Sequence, residues 1–237
     1  MTTGQKLQRR GDSREVVINL DKISLEGTLA LPKDARGLVL FAHGSGSSRH
    51  SPRNRYVATA LESQGIGTLL FDLLTHQEES IDQMTGELRF NIPFLAGRLV
   101  GATRWAKGSI GTQDLRVGYF GASTGAGAAL MAAAELPEIV SAIVSRGGRP
   151  DLAGSALGRV RAPTLLIVGG LDGPVITMNR EALAQLKCPE KKLLIIPGAT
   201  HLFEEAGTLE EVARVASEWF RLHFAPGENA SASSAAR

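Results

Sequence analysis

Apolar and polar positions alternate along two short stretches near the start of the chain, and short continuous apolar runs recur through the rest of it. Residues 15–20 and 23–31 alternate on either side of Asp21 and Lys22, which predicts a β-hairpin. The later apolar runs are four to six residues long, as expected for strands that are buried on both faces. We predict such strands at residues 38–42, 67–72, 115–120, 139–144, 163–168 and 193–196.

Segments with a helical spacing of apolar residues lie between these runs. The predicted helices cover residues 54–64, 91–107, 177–186 and 210–224, and a helix of small residues follows the run at 115–120. Strands that alternate with helices predict an α/β fold with a mostly parallel central sheet and helices on both faces.

Two connections are informative about what covers the sheet. Residues 73–90 are polar and have no clean period, so we interpret them as an excursion over the top of the sheet. Only 18 residues separate the strands predicted at 139–144 and 163–168, which is too few for a large helical insertion. The sequence therefore predicts no large cap domain.

The length of 237 residues fits one α/β domain with a full hydrophobic core. We place this domain at residues 14–224. Residues 1–13 are polar and are predicted to be flexible, and residues 225–237 are small and polar and are predicted to be disordered.

Composition argues against several classes of function. The net charge is +2, and the nearest approach to a basic cluster, at Arg49, Arg53 and Arg55, is too short for a nucleic-acid-binding face. Cys188 is the single cysteine, which excludes an internal disulfide and a thiolate metal cluster. Neither a metal-binding histidine pattern nor a G-x-x-x-x-G-K-[ST] phosphate loop is present, so we predict no metal and no cofactor.

The N-terminal stretch contains no apolar core of a secretory signal, and no run of about 18 apolar residues occurs anywhere in the chain. We therefore expect a cytoplasmic protein without a membrane partner. The sequence leaves the oligomeric state open.

The strongest chemical signal is the pentapeptide Gly-Ala-Ser-Thr-Gly at residues 121–125, a G-x-S-x-G motif between a predicted strand and a predicted helix. A nucleophilic serine at such a bend has a strained backbone and an exposed hydroxyl, and glycines on both sides permit close approach of neighbouring chain. Ser123 is the candidate nucleophile. The alternative is a glycine-rich connection in an ordinary α/β sheet.

Two further reactive residues follow predicted strands, where the ligand sites of parallel sheets lie. Asp172 comes 49 residues after Ser123, and His201 comes 29 residues after Asp172. We predict that His201 is the general base and that Asp172 orients its imidazole. Asp151 is the first alternative acid and Asp72 the second.

The predicted oxyanion donors are the backbone N–H groups of Thr124, directly after the nucleophile, and of Ser45, in the loop after the strand at 38–42. We also assign Gly44 and Gly46 of that loop to the substrate site, whereas His43 is expected to hold the loop in shape. The excursion contributes two further candidate pocket residues, Met84 and Phe90.

Four segments together resemble the α/β-hydrolase superfamily, and within it the small dienelactone-hydrolase-like esterases. They are HGSGSS at 43–48, GASTGAG at 121–127, LLIVGGLD at 165–172 and PGATHLF at 197–203. The resemblance covers residues 15–224 and implies the α/β-hydrolase fold. Dienelactone hydrolases proper have cysteine at the elbow, so Ser123 favours a serine esterase over an enzyme for dienelactone itself.

The sequence thus predicts a serine hydrolase that cleaves a small ester, lactone or thioester through an acyl-serine. Its partner is a small-molecule acyl substrate, and no nucleic acid is expected. Two alternatives stay open: a non-catalytic protein of the same fold that binds a ligand or a partner, and an acyltransferase or lyase that uses the same three residues.

Overall fold

The computed structural model describes residues 13–225, so the predictions for residues 1–12 and 226–237 lie outside the described part of the chain. Strands β1 (Ser13–Leu20) and β2 (Ile23–Ala30) pair antiparallel and in register, with Leu20 opposite Ile23. This is the predicted hairpin. Its alternating pattern follows from one side chain in two facing the core, as Ile18 and Leu25 do.

Six further strands continue the sheet in the order β1-β2-β4-β3-β5-β6-β7-β8. Strands β3 to β8 are mutually parallel, and β2 joins them antiparallel through β4. All six residues of β3 are buried, as are those of β7, which explains why the apolar runs predicted them. The strands are β3 (Gly37–Ala42), β4 (Gly67–Phe71), β5 (Arg116–Ala122), β6 (Val140–Arg146), β7 (Thr164–Gly169) and β8 (Lys191–Ile196).

Helices cover both faces of this sheet and enclose two hydrophobic clusters. Leu99, Leu130 and Ile143 belong to the cluster on one face, and Val57, Phe120 and Phe220 belong to the cluster on the other. The helices are α1 (Pro52–Ser63), α2 (His76–Thr85), α3 (Ile92–Gly108), α4 (Thr124–Glu135), α5 (Gly173–Gln185) and α6 (Thr208–His223).

Helices α1 and α6 pack together on one face, and α3 packs against α4 on the other. A 3₁₀ segment, Pro150–Arg159, bridges α4 and α5. The predicted α/β architecture without a large cap domain is therefore confirmed for the described residues. No helix within residues 13–225 has the length and apolar content needed to cross a membrane.

The excursion at residues 73–90 contains a helix, α2, that the apolar pattern did not reveal. Polar contacts define it: the Thr75 hydroxyl accepts from the N–H of Glu78 at 3.2 Å, and the Glu78 carboxylate accepts from the N–H of Thr75 at 2.8 Å. Farther along, Asp82 is 1% exposed. Its carboxylate accepts from the Leu88 N–H at 2.7 Å and from Arg89 Nε at 2.6 Å. These contacts fold residues 73–90 without an apolar stripe.

Replacing Asp82 by asparagine is expected to lower the free energy of unfolding at pH 7 by about 2 kcal/mol, because hydrogen bonds to charged groups contribute on that order. Burial alone would raise the pKa of the Asp82 carboxyl, but hydrogen bonds from Arg89 and Leu88 bring that pKa below its ordinary value. The stabilisation is therefore complete above the unfolded-state pKa of about 3.9 and is lost as pH falls through the lower folded-state pKa.

Urea unfolding of the two proteins at several pH values measures this effect. The exposed Glu87, replaced by glutamine, is the matched control in the same loop and should change stability by less than about 0.5 kcal/mol. A difference between Asp82→Asn and the parent that is unchanged at pH 3 would contradict the assignment to the Asp82 carboxylate.

Candidate active site

Ser123 lies at the bend between β5 and α4 with φ 50° and ψ −122°, a backbone conformation that residues other than glycine rarely adopt. Three backbone hydrogen bonds fix it. The Ser123 N–H donates to the Arg146 carbonyl at 3.3 Å, and the Ser123 carbonyl accepts from Ala126 at 3.1 Å and from Arg149 at 3.0 Å. The strand, bend and helix predicted around the G-x-S-x-G motif are present, with the nucleophile candidate at the tip.

The two motif glycines lie where the chain passes against its own backbone. A Cβ atom on Gly121 would lie 2.5 Å from the Ala126 Cα. A Cβ atom on Gly125 would lie 2.2 Å from the Ala42 carbonyl oxygen and 2.5 Å from that of His43. Because both obstacles are backbone atoms, no side-chain rotation can relieve them.

Gly125→Ala is accordingly expected to cost more than about 4 kcal/mol of unfolding free energy, the range of severe steric mutations. Urea unfolding measures this cost. Gly97 on α3 is the matched control because a Cβ there would meet open space, so Gly97→Ala should stabilise by about 0.5–1 kcal/mol. Similar stabilities for the two alanine variants would show that the bend is looser than described.

The second and third candidates are in contact with each other. His201 Nδ1 lies 2.6 Å from Asp172 Oδ2, and the Asp172 side chain is 13% exposed while that of His201 is 38% exposed. Asp172 directly precedes α5, and His201 follows β8, so adjacent parallel strands bring the two residues together. A carboxylate on Nδ1 leaves Nε2 of the imidazole as the ring nitrogen available for proton transfer.

Residues at the end of β6 lie next to both Ser123 and His201. The Arg146 carbonyl bonds the Ser123 backbone, and the next residue, Gly147, has φ 51° and lies under His201. A Cβ on Gly147 would be 3.0 Å from the His201 carbonyl oxygen and 3.6 Å from its ring Cε1. No hydrogen bond joins the Ser123 hydroxyl to His201 in residues 13–225. The structure thus supplies the acid–imidazole pair, and consecutive residues at the end of β6 contact Ser123 on one side and His201 on the other.

The two alternative acids are paired with arginines. Asp151 accepts from Arg149 Nε at 2.9 Å and from Arg149 Nη2 at 2.7 Å. Asp72 accepts from the backbone N–H of Arg49 at 2.8 Å and forms an ion pair with its guanidinium. Of the three candidate carboxylates, only Asp172 contacts an imidazole nitrogen.

The loop after β3 packs on the elbow, and one predicted donor in it already has an acceptor. The Ser45 N–H donates to the Thr124 hydroxyl at 2.9 Å. The N–H that we predicted as an oxyanion donor is therefore hydrogen-bonded to a side chain of the elbow in this structure. Gly44 lies against the nucleophile, since a Cβ there would be 3.1 Å from the Ser123 Cβ. The Thr124 N–H is in the first turn of α4, where backbone donors have no intrahelical acceptor.

His43 holds this loop in place. Its Nδ1 lies 3.0 Å from the Gly44 carbonyl oxygen, and its Nε2 accepts from the Leu73 N–H at 3.2 Å, which fixes the proton on Nδ1. Burial lowers the pKa of the His43 imidazole. The ring is therefore neutral and fully occupied, in agreement with a structural role.

Met84 and Phe90 are not placed at this site. Met84, in α2, is 82% exposed, and Phe90, which follows α2, is 60% exposed. The Arg89 side chain lies near the loop after β3, because a Cβ on Gly46 would be 3.8 Å from Arg89 Nη1. The sequence pattern did not single out Arg89, since its position depends on the buried carboxylate of Asp82.

A cavity of about 650 Å³ lies on the β4 side of the loop. Gly46 lines it together with the polar side chains of Ser47, Arg49, Arg53 and Asp72, whereas Ser123, Asp172 and His201 do not. No group of three or more histidine, cysteine, aspartate or glutamate side chains suited to a metal ion occurs among residues 13–225.

Arg146 is a further feature that the sequence pattern missed. It is the last residue of β6 and is 6% exposed. Its Nε and Nη1 are buried and have no hydrogen-bond partner among the described residues. A charged residue directly after an apolar strand was the available signal.

Comparison with known proteins identifies the family. No protein-family model matches the chain. A dienelactone hydrolase from Anabaena variabilis is 60% identical in sequence and superposes with a TM-score of 0.89, covering 90% of this chain and 99% of that one. The chain belongs to the dienelactone hydrolase family. This family membership confirms the resemblance drawn from the four segments.

More distant relatives share the fold of this dienelactone hydrolase family member. Est1E from Butyrivibrio proteoclasticus has a TM-score of 0.73 at 18% identity, covering 90% of this chain and 99% of that one.

Two Mycobacterium tuberculosis proteins named "Putative phosphoribosyl transferase" are 55% identical over 211 residues, which is 88% of this chain and 46% of each of them. The chain thus spans about half the length of these curated relatives.

Proposed function

We propose that this chain is a serine hydrolase that cleaves a small ester, lactone or thioester through an acyl-serine intermediate. The observation that supports the proposal is the Asp172–His201 contact at 2.6 Å, in a chain whose candidate nucleophile, Ser123, is held at φ 50° at a strand-to-helix bend. The family relationship supports hydrolysis, and the absence of a large cap domain favours short, soluble acyl groups.

The proposed reaction begins when Ser123 Oγ attacks the carbonyl carbon and passes its proton to His201 Nε2. Asp172 stabilises the imidazolium through Nδ1. The tetrahedral oxyanion accepts from the Thr124 N–H and from the Ser45 N–H, once the Thr124 hydroxyl has released the latter. Collapse of the tetrahedral intermediate breaks the bond to the leaving group, which takes the proton from His201. Water then attacks the acyl-serine with His201 as the base, and the carboxylic acid is released.

A fluorophosphonate probe tests the proposal because it phosphonylates activated serines. We expect stoichiometric labelling, located by peptide mass spectrometry on the tryptic peptide that contains Ser123. Unlabelled protein would instead support a non-catalytic binding protein. Adding a competing alcohol during ester turnover separates hydrolysis from acyl transfer, since an acyltransferase would form the new ester in preference to the free acid.

We propose no phosphoribosyl transfer by this chain, because its residues match less than half of each relative that bears that name. The elbow serine also leaves dienelactone as one lactone among several to be tested.

A further inference from the structure

Arg146 is a buried cation without a counterion. Its Nε and Nη1 have no hydrogen-bond partner, and none of the ion pairs formed within residues 13–225 includes it. Burial, together with the nearby charge of Arg53, lowers the pKa of the guanidinium to about 10, so Arg146 is still charged at neutral pH. A buried charge without a partner is costly and calls for an anion.

A second cation lies close to it. Arg53 is in the first turn of α1, its Nε is also buried without a partner, and its Nη1 lies 3.1 Å from Glu204. That carboxylate is 63% exposed and is the ion-pair partner recorded for Arg53. Arg53 therefore lies in the first turn of a twelve-residue helix, whose N-terminus adds partial positive charge, and its ion-pair partner is solvent-exposed. The local balance of charge is positive.

This cluster adjoins the candidate nucleophile. The Arg146 carbonyl accepts from the Ser123 N–H at 3.3 Å, and the Arg146 guanidinium carbon lies 6.0 Å from the centre of the Phe203 ring. Phe203 is two residues after His201 and is itself held at φ 56°. The Arg146 main chain therefore contacts the candidate nucleophile, and its guanidinium lies near a ring two residues from the candidate base. Arg149, also nearby in sequence, is already paired with Asp151.

We propose that Arg146 and Arg53, with the first turn of α1, form a subsite for a phosphate group carried by the ester substrate. This inference rests on the proposed function. Donors on separate elements suit a tetrahedral dianion, which accepts hydrogen bonds from several directions, whereas one planar guanidinium fork would suffice for a carboxylate. The phosphate is held and not transferred, and the bond that breaks is the ester bond at Ser123.

Three acetyl esters with different groups beside the ester test the subsite: glycerol monoacetate is neutral, acetylglycerate carries a carboxylate and acetylglycerol phosphate carries a phosphate. The measured quantity is kcat/KM for each charged ester divided by that for glycerol monoacetate. For the parent chain the phosphate ratio should exceed about 10, as hydrogen bonds to charged groups imply. Arg146→Gln and Arg53→Gln should each bring it close to 1. Arg55→Gln, an exposed neighbour on α1, is the matched control and should retain the parent ratio.

A parent ratio near 1, or a high ratio kept by both Arg146→Gln and Arg53→Gln, would overturn the subsite. An equal gain for acetylglycerate would overturn its assignment to phosphate. Because each ratio is internal to one folded sample, partial destabilisation by Arg146→Gln does not affect it, and Arg53→Gln provides an independent variant at a part-exposed position.

Inorganic phosphate separates failure of the subsite from failure of the proposed function. It should raise the Tm of the Ser123→Ala protein above that measured in sodium chloride of equal ionic strength, and Arg146→Gln should remove this increase. If no acetyl ester is hydrolysed but phosphate still protects, the hydrolase assignment fails and the anion site stands. If esters are hydrolysed but phosphate has no effect in either assay, the hydrolase assignment stands and the anion site fails.

Discussion

Ser123→Ala should reduce kcat for a short p-nitrophenyl ester by at least about 10⁴-fold and abolish fluorophosphonate labelling. Without the hydroxyl there is no atom to form the acyl intermediate, and what remains is the contribution of binding and oxyanion donors alone. Steady-state hydrolysis and gel-based labelling measure the two effects. Retained labelling at the parent rate would remove Ser123 from the mechanism.

Ser123→Gly distinguishes chemistry from folding in the same position. Glycine adopts positive φ freely, so relief of the strain at φ 50° should raise the unfolding free energy by about 1 kcal/mol while activity stays lost. A more stable and inactive protein would identify the serine conformation as a cost maintained for function. Loss of activity accompanied by unfolding would carry no such meaning.

Asp172→Asn should lower kcat by about 10⁴-fold with little change in KM. The carboxylate 2.6 Å from His201 Nδ1 both fixes the tautomer and stabilises the imidazolium, and an amide in its place provides neither the charge nor a reliable acceptor. The pH dependence of kcat and the KM value measure the change. A purely structural role would reduce the fraction of folded enzyme without changing the activity per folded molecule.

Asp151→Asn and Asp72→Asn are the matched controls for that experiment. Both carboxylates are paired with arginines, Arg149 and Arg49, and neither contacts an imidazole nitrogen. We expect their kcat values to stay within about threefold of the parent, as for variants that leave the reacting groups in place. A 10³-fold loss of kcat in either variant, while Asp172→Asn stays active, would assign the role of the acid to Asp151 or Asp72 in place of Asp172.

The sheet was predictable because its strands are buried on both faces, which leaves unbroken apolar runs such as residues 38–42. The elbow was predictable because strand, motif and helix are contiguous. The pairing of Asp172 with His201 followed from a topological rule, that residues after parallel strands gather at one edge. These three features depend on local sequence or on the succession of strands and helices along the chain, and both can be read from a single sequence.

Polar contacts over longer distances were not predictable. Helix α2 depends on the Thr75–Glu78 cap and on the burial of Asp82, so its apolar period is absent. Arg146 contradicts the usual placement of charge outside the core, and the position of its side chain is decided by neighbours from α1 and from the loop after β8. No spacing rule reports such neighbours.

Under the proposed mechanism, the Ser45 N–H keeps the Thr124 hydroxyl as its acceptor until the oxygen of the substrate replaces it. A neutral carbonyl oxygen is a similar acceptor to a hydroxyl and gains little by displacing it, whereas a full oxyanion attracts the donor much more strongly. The exchange of one acceptor for the other therefore depends on the charge of the substrate oxygen. The Ser45 N–H would bind the substrate strongly only in the transition state, where that charge develops.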